Sequence, residues 1–282
     1  MIKKPELNVA AFDSVDFSGI DQYLGCGEQF RRVRILQQPT VPSFAMDEGS
    51  GHHKALATNN LSKRDKGKTL KSAKMQEVFV QTVEGFLKKP EIKKLSKTQK
   101  LMYFNGESLD EATKRAKTFY DEYLRRIDPE IDPDWVEQPF IKPVTVEEVE
   151  FQLTGVVDLT TKKKKLRDYK TSSSLKSQAE ADNSLQLTLY SATTGLADVG
   201  FIDFVKTKNP YVAEIKSRRS PAQHAWGLKI AKSVIDGIRK GSFPLASPDP
   251  RNWRCSEKFC GFWGTCRGKY ELASSMKLKE TK

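Results

Sequence analysis

The sequence predicts an α/β domain in which helices flank a mixed central sheet. Runs rich in β-branched and aromatic residues, at 149–159, 166–171, 200–207 and 211–217, have the length and patterning of strands. Runs of helical period with start and stop signals, at 108–127, 177–195 and 220–241, are interleaved with them. The chain has 282 residues and 38% hydrophobic content, enough to bury a sizeable core as one domain spanning residues 1–282.

Each element has a local reason. A helical segment is expected over residues 15–57, and the lysine-rich polar stretch 58–74 is expected to be a basic mobile loop. Ser108 and Glu111 form a capping box ahead of Leu109, Ala112, Ala116, Tyr120, Tyr123 and Ile127, an apolar stripe assigned to the core. The central part of the fold is expected over residues 130–241, beginning with a strand that carries Trp135 and Glu137. The polar run 160–165 separates the next two strands, so they read as a hairpin. A helix from Ser177 to Gly195 follows, with Leu185 and Leu189 able to pack on the sheet. Two strands flank Lys208 to Pro210. The last helix starts at Pro221 and ends at Gly241, with Trp226, Ile230, Val234 and Ile238 inward and His224 exposed in its first turn. Residues 250–270 hold three cysteines, and residues 274–282 read as a frayed tail. No solenoid-like repeat is evident.

The formal net charge of +12 and a pI near 9.4 favour a polyanionic partner. Charge alone does not name it, because proteins that bind membrane surfaces or ribosomes are also basic. Lys63, Arg64, Lys66, Lys68, Lys71 and Lys74 could serve either as a solvated linker or as an arm that touches such a partner. Neither a secretory signal nor a transmembrane stretch is read in the sequence, which disfavours structural disulfides.

The most informative residues lie in the hairpin and the helix after it. Side chains alternate along a strand, so Asp168 and Lys170 share one face while Tyr169 points to the other. Asp158 lies near the end of the partner strand, where pairing across the turn can bring its carboxylate close to Asp168. Two acids that close either raise a pKa or bind a cation, and hard oxygen donors with open positions suit Mg²⁺ or Mn²⁺. Such an ion activates water and polarises a phosphate, and Lys170 beside it would orient the nucleophile or stabilise developing charge. Gln186 and Tyr190, at i and i+4, present a polar stripe that can face the acids.

These residues resemble the PD-(D/E)xK nuclease superfamily, in its RecB-like exonuclease branch, which is marked by G-x-x-D, D/E-x-K and Q-x-x-x-Y. The chain carries them in that order as Gly155 with Asp158, Asp168 with Lys170, and Gln186 with Tyr190. The resemblance implies a restriction-endonuclease-like fold, with Asp158, Asp168, Lys170, Gln186 and Tyr190 as catalytic residues. It also implies an upstream histidine ligand in a G-x-x-x-H pattern. Gly49 and His53 fit that register, with His52 one residue out. The implied metal ligands are therefore His53, Asp158 and Asp168, and Glu137 matches a strand glutamate read as structural or as supporting the ligands.

Cys26 stands near the start of the chain, and Cys255, Cys260 and Cys266 stand within twelve residues near its end. Such clustering in an otherwise cysteine-free chain points to a metal centre. Cys₄ ligation suits either tetrahedral zinc or a [4Fe–4S] cluster, and spacing does not separate them. Some RecB-like nucleases, including CRISPR-adaptation exonucleases and a recombination subunit, carry one cysteine before the nuclease domain and three after it, around an iron–sulfur cluster that staples the termini. The resemblance implies the same here. The four residues between Cys255 and Cys260 depart from the two common in those families, so the type of centre stays open.

The implied activity is metal-dependent hydrolysis of DNA phosphodiester bonds, by an exonuclease acting on ends or single strands in recombination, repair or phage replication. The implied partners are DNA and recombination or replication proteins, and the implied setting is the cytoplasm of a bacterial or phage-infected cell. Two other readings remain: a catalytically inactive iron–sulfur DNA-binding subunit, and a zinc-stapled structural module. The sequence leaves open the cleavage polarity, strand preference and the choice between DNA and RNA.

Overall fold

The computed structural model describes residues 9–40, 42–247, 252–257 and 259–267. In chain order the elements are strand β1 (Ser14–Asp16) and helices α1 (Phe17–Gly25), α2 (Gly27–Phe30), α3 (Phe44–Lys66), α4 (Ser72–Leu87), α5 (Pro90–Lys93), α6 (Lys97–Phe104) and α7 (Leu109–Arg126). Strands β2 (Pro133–Val146), β3 (Val149–Thr161) and β4 (Lys165–Ser172) come next, then helices α8 (Gln178–Asp182) and α9 (Leu185–Thr194). Strands β5 (Asp198–Val205) and β6 (Tyr211–Arg218) and helix α10 (Pro221–Arg239) complete the fold. The chain clusters into two compact units.

The larger unit comprises residues 42–141 and 155–227. Within it β3 runs antiparallel to β4, β4 parallel to β5, and β5 antiparallel to β6, which makes the sheet mixed. Half of β4 and all but the first residue of β5 are buried, as expected of strands covered on both faces. On one face Phe79, Phe119, Tyr120 and Tyr123 of the helical layer pack against Tyr169, Ile202 and Phe204. On the other, Leu187 and Tyr190 of α9 pack against Val157, Leu166, Val199 and Phe201. Each fully buried large apolar side chain contributes roughly 1.5–3 kcal/mol over exposure, so these two layers fix the sheet from both sides.

Ser108 caps α7 by accepting from the Glu111 N–H, and Ala112, Ala116, Phe119, Tyr120 and Tyr123 form its buried stripe. Three expectations are corrected. The basic stretch 58–74 is not a loop throughout, because 58–66 are the last turns of α3 and Ser72 opens α4. Its polar residues misled: Asn59 and Asn60 are buried, and Asn59 accepts from the Leu70 N–H to close the connection. The segment 177–195 is two helices, since Ser184 caps α9 anew by accepting from the Leu187 N–H. Trp226 is 68% exposed, while His224 is half-buried with its Nε2 2.8 Å from Ser191 Oγ. Gly227 lies so close to Thr188 that an added Cβ would approach its Cγ2 to 2.9 Å, which aims the glycine inward and its neighbour Trp226 away.

The smaller unit takes its described residues from 1–41, 142–154 and 228–282. Here β1 pairs in parallel with the first part of β3, from Ser14–Gln152 to Asp16–Thr154. Early and late segments meet: Tyr23 donates to the Ser242 carbonyl, Arg239 to the Phe12 carbonyl, and Arg254 pairs with Asp21 at 2.9 Å. The tail expected over 274–282 lies outside the described residues, as does part of the cysteine segment at 250–270. No helix among the described residues is long and apolar enough to cross a membrane.

Candidate active site

Helix α3 brings the first candidate ligand. Its inner face buries Phe44, Glu48, Gly51, His52, Ala55, Leu56 and Asn59, and an added Cβ at Gly51 would meet Val83 at 2.7 Å and Phe79 at 2.8 Å on α4. Consecutive helical residues point about 100° apart, so His52 and His53 diverge. His52 is enclosed: its ring stacks on Phe79 with centroids 4.6 Å apart, and its Nδ1 lies 2.9 Å from Tyr120 Oη. Burial holds His52 below the ordinary histidine range, with Glu48 opposing. His53 turns instead toward the sheet.

There His53 Nε2 donates to the Tyr169 carbonyl at 3.1 Å, which fixes the proton on that nitrogen, because a carbonyl can only accept. Nδ1 therefore faces Asp158 Oδ1 at 3.5 Å and Glu137 Oε1 at 3.6 Å. Burial disfavours the imidazolium, but the carboxylates of Asp158, Glu137 and Asp168 outweigh it and raise His53 to about 10. Among the described residues, His53, Glu137 and Asp158 form a group whose ligand atoms lie within 4.8 Å of one another.

The hairpin supplies the acids. Thr160 pairs with Leu166 and Leu159 with Arg167, and just beyond them the Tyr169 N–H donates to Asp158 Oδ2 at 2.8 Å. The carboxylate thus takes a backbone donor, and its other oxygen is left facing His53. Tyr169 consequently holds two candidate ligands through its own peptide groups. Its side chain, on the opposite face, reaches back to α3, where Asn60 donates to its Oη at 2.8 Å and Tyr123 Oη lies 3.2 Å away. The helix that carries His53 is thereby tied to the strand that carries Asp168 and Lys170. Sequence reasoning missed both Tyr169 and Asn60, and no signal marks them.

Glu137 owes its place to backbone strain. Its φ is +47°, a left-handed conformation unusual for a non-glycine residue in a strand. It interrupts alternation along β2 just before Pro139. Sequence reasoning assigned Glu137 only a supporting part, whereas the structure puts its carboxylate beside His53.

Asp168 is buried, with Oδ1 accepting from Gln186 Nε2 at 2.7 Å and Oδ2 lying 2.7 Å from Lys170 Nζ. Burial raises its carboxyl above the ordinary range, with Lys170 opposing and Asp158 reinforcing. Lys170 donates to Gln186 Oε1 at 2.8 Å, so Gln186 bridges acid and lysine. Burial alone would lower the lysine, but the Asp168 charge reverses this and keeps it cationic. Tyr190, one turn on, packs its ring edge-on against Phe140 at 5.8 Å. An added Cβ at Gly155 would meet Phe140 at 3.0 Å and Tyr190 at 3.4 Å, so that position needs a residue without one.

This donor set of an imidazole and carboxylates fits a divalent cation that prefers oxygen. Glu137 Oε1 is a buried carboxylate oxygen that accepts no hydrogen bond among the described residues, whereas Asp168 Oδ2 has the Lys170 ammonium at 2.7 Å. A cation would supply what Glu137 lacks.

In the smaller unit the four cysteines are free and half-buried. Burial raises the Cys260 thiol, and the charges of Cys26, Cys255 and Cys266 raise it further, so each of those three lies within electrostatic reach of Cys260. Gln29 N–H points at Cys26 Sγ at 3.4 Å, and Arg32 donates to Thr265 Oγ1 at 3.1 Å beside the last cysteine.

No curated protein sequence matches the chain. Among solved structures, a Eubacterium rectale protein named as a candidate exonuclease is similar at 12% identity and a TM-score of 0.48, over 92% of this chain and 94% of its own. A protein named SSO0001 is similar at 15% identity and a TM-score of 0.39, over 95% and 89%. The family model of the PD-(D/E)XK nuclease superfamily matches residues 15–267, which include both the acid cluster and all four cysteines, and on that match the chain belongs to this superfamily.

Proposed function

We propose that the protein is a divalent-metal-dependent deoxyribonuclease, acting as an exonuclease on DNA ends or single strands. The observation that carries this is the convergence of His53, Glu137 and Asp158 on one point, with Asp168 and Lys170 beside it. Asp158, Glu137 and His53 would hold the ion, with Asp168 adjoining. A bound Mg²⁺ or Mn²⁺ supplies Lewis acidity toward a phosphate and lowers the pKa of a coordinated water.

The protein groups do the rest. The Tyr169 peptide fixes the ring of His53 and one oxygen of Asp158, which leaves Nδ1 and the second oxygen directed at the same point. Lys170 is held charged by Asp168, so it suits stabilising negative charge on the attacked phosphate rather than abstracting a proton. Gln186 fixes both partners of that ion pair, and Tyr190 seats the helix that carries Gln186. Recombination, repair and phage replication are the settings to which an end-degrading enzyme of this kind is suited.

The test is release of label from end-labelled single- and double-stranded DNA with Mg²⁺ or Mn²⁺. Closed circular strands should resist an exonuclease. Their rapid cleavage would make the enzyme an endonuclease, and no cleavage of any substrate would leave a DNA-binding subunit.

We propose further that Cys26, Cys255, Cys260 and Cys266 hold one metal centre, a [4Fe–4S] cluster, with Cys₄ zinc as the alternative. The rise of the Cys260 thiol beside the other three cysteines supports a shared centre, since a cation there would favour its thiolate. Protein purified without oxygen should be brown with broad absorbance. A colourless preparation with one zinc would decide for zinc.

A further inference from the structure

Between Gly85 and Gly106 the larger unit carries Lys88, Lys89, Lys93, Lys94, Lys97 and Lys100 against the single acid Glu91. All six lysines are exposed. Lys88 pairs with Glu84, and Lys89 sits over the Phe86 ring at 4.4 Å. Among the described residues, Lys93, Lys94, Lys97 and Lys100 have no carboxylate partner.

This is more than a solvated charged face, because apolar surface lies within it. Leu101 and Met102 are 69% and 53% exposed, and a groove of about 770 Å³ is lined by Leu87, Leu101, Phe104 and Leu109 together with Lys97 and Lys100. Of the two acids lining it, Glu107 is already engaged by Arg115 and Lys206. The segment is anchored to the site helix: Tyr103 donates to Asp47 on α3, and Phe44 packs on Phe104. Asp47 is six residues before His53, roughly 9 Å along the helix axis.

We infer that α5 and α6 form a binding surface for single-stranded DNA, separate from the metal site and serving it. The phosphates meet the four unpaired lysines, and unstacked bases cover the apolar floor at Leu101 and Phe104 and the exposed side chain of Met102. A duplex keeps its bases stacked and offers this floor nothing, so the surface favours single strands. The inference rests on the nuclease reading for its purpose, but binding can be read without cleavage.

The test is the affinity for a labelled oligo(dT) strand, measured with EDTA present and across a salt series. Replacing Lys93, Lys94, Lys97 and Lys100 by Gln should weaken binding roughly tenfold or more at low salt and flatten the salt slope by about 2 to 3, at about 0.7 for each phosphate no longer neutralised. The same charge removed from the outer face of α7, at Lys114, Lys117, Arg125 and Arg126, should change affinity far less. Leu101→Asn with Met102→Asn should weaken binding several-fold without changing the slope. Equal losses in both charge variants, no loss in either, or equal competition by polyglutamate would overturn the surface. An active nuclease whose affinity ignores these lysines would defeat this inference alone. A protein that binds through them yet cuts nothing would defeat the nuclease reading alone.

Discussion

The acid cluster of the larger unit and the cysteine group of the smaller one are both candidate metal sites, yet they are built in opposite ways. Around the acids the Tyr169 peptide groups fix His53 and Asp158, and Gln186 fixes Asp168 and Lys170. These residues sit on long elements between two packed layers. Cys26 caps the junction of α1 and α2, and the other three cysteines lie in a segment whose described residues are mostly turns, with the three-residue helical turn Trp263–Thr265 among them. The first site can exist before its metal arrives. The second would rely on the proposed centre to hold it, so removal of metal should silence one and loosen the other.

The largest effect expected is on turnover. Asp158→Ala or Asp168→Ala should lower Mg²⁺-dependent cleavage at least about a hundredfold while leaving DNA affinity nearly intact, because binding rests on cations and phosphates. Glu137→Gln and His53→Ala should weaken Mn²⁺ binding, read by titration, in step with activity. Unaltered cleavage by both aspartate variants would remove the site from the reaction. A larger loss at His52 than at His53 with the fold intact would remove His53 from the ligand set.

The acids, the lysine and Gln186 could be brought together on paper because strand alternation and helical period dictate which side chains share a face. The order of strands and helices followed from the same periodicities, and the mixed sheet from the resemblance. Helix α3 was only half legible, since its inner face carries Glu48, His52, Asn59 and Asn60, whose partners lie far along the chain. Glu137 was legible only as a structural or supporting residue, because its left-handed backbone has no signature in a Glu-Gln-Pro sequence. Trp226 lies on the stripe of Ile230 and Val234 by period, yet the face buried in α10 is set by Ala231, Val234, Ile235 and Ile238.

Next in size is the effect on the smaller unit. Any of Cys26→Ala, Cys255→Ala, Cys260→Ala or Cys266→Ala should lower iron content and the thermal midpoint, by on the order of 10 °C, without directly touching hydrolysis. The midpoint should also fall when the centre is removed from the native protein by oxygen or chelation. If EDTA-treated, metal-free protein with intact cysteines melts unchanged, the contrast between the two sites disappears.

A third, smaller effect belongs to pH and to the larger unit. Glu48 is fully buried. Burial pushes its carboxyl up, but His52, Arg115 and Lys206 outweigh it and bring it down to about 2. A carboxylate depressed on folding contributes stability that is fully present above its unfolded value of 4.5 and is lost as pH falls toward 2. The span is worth about 3 kcal/mol. Wild-type stability, followed by denaturant titration, should therefore fall between pH 4.5 and 2 more steeply than that of Glu48→Gln. Parallel curves would show that the network does not titrate there.

The smallest effect tests whether the acid site is preformed by its tie to α3. Tyr169→Phe keeps the peptide groups that hold His53 and Asp158 but removes the hydroxyl that accepts from Asn60. The Asn60 amide is then left buried without that acceptor, which costs roughly 1–3 kcal/mol. Because both ligand-holding bonds come from the main chain, Mn²⁺ affinity should fall less than about tenfold, below the roughly 10- to 100-fold typical when a group bonded directly to a ligand is removed. Asn60→Asp should behave differently, placing a buried charge against two phenols and costing more stability. If Tyr169→Phe instead abolishes metal binding at unchanged stability, the hydroxyl positions the site directly, and the main-chain account of its rigidity fails.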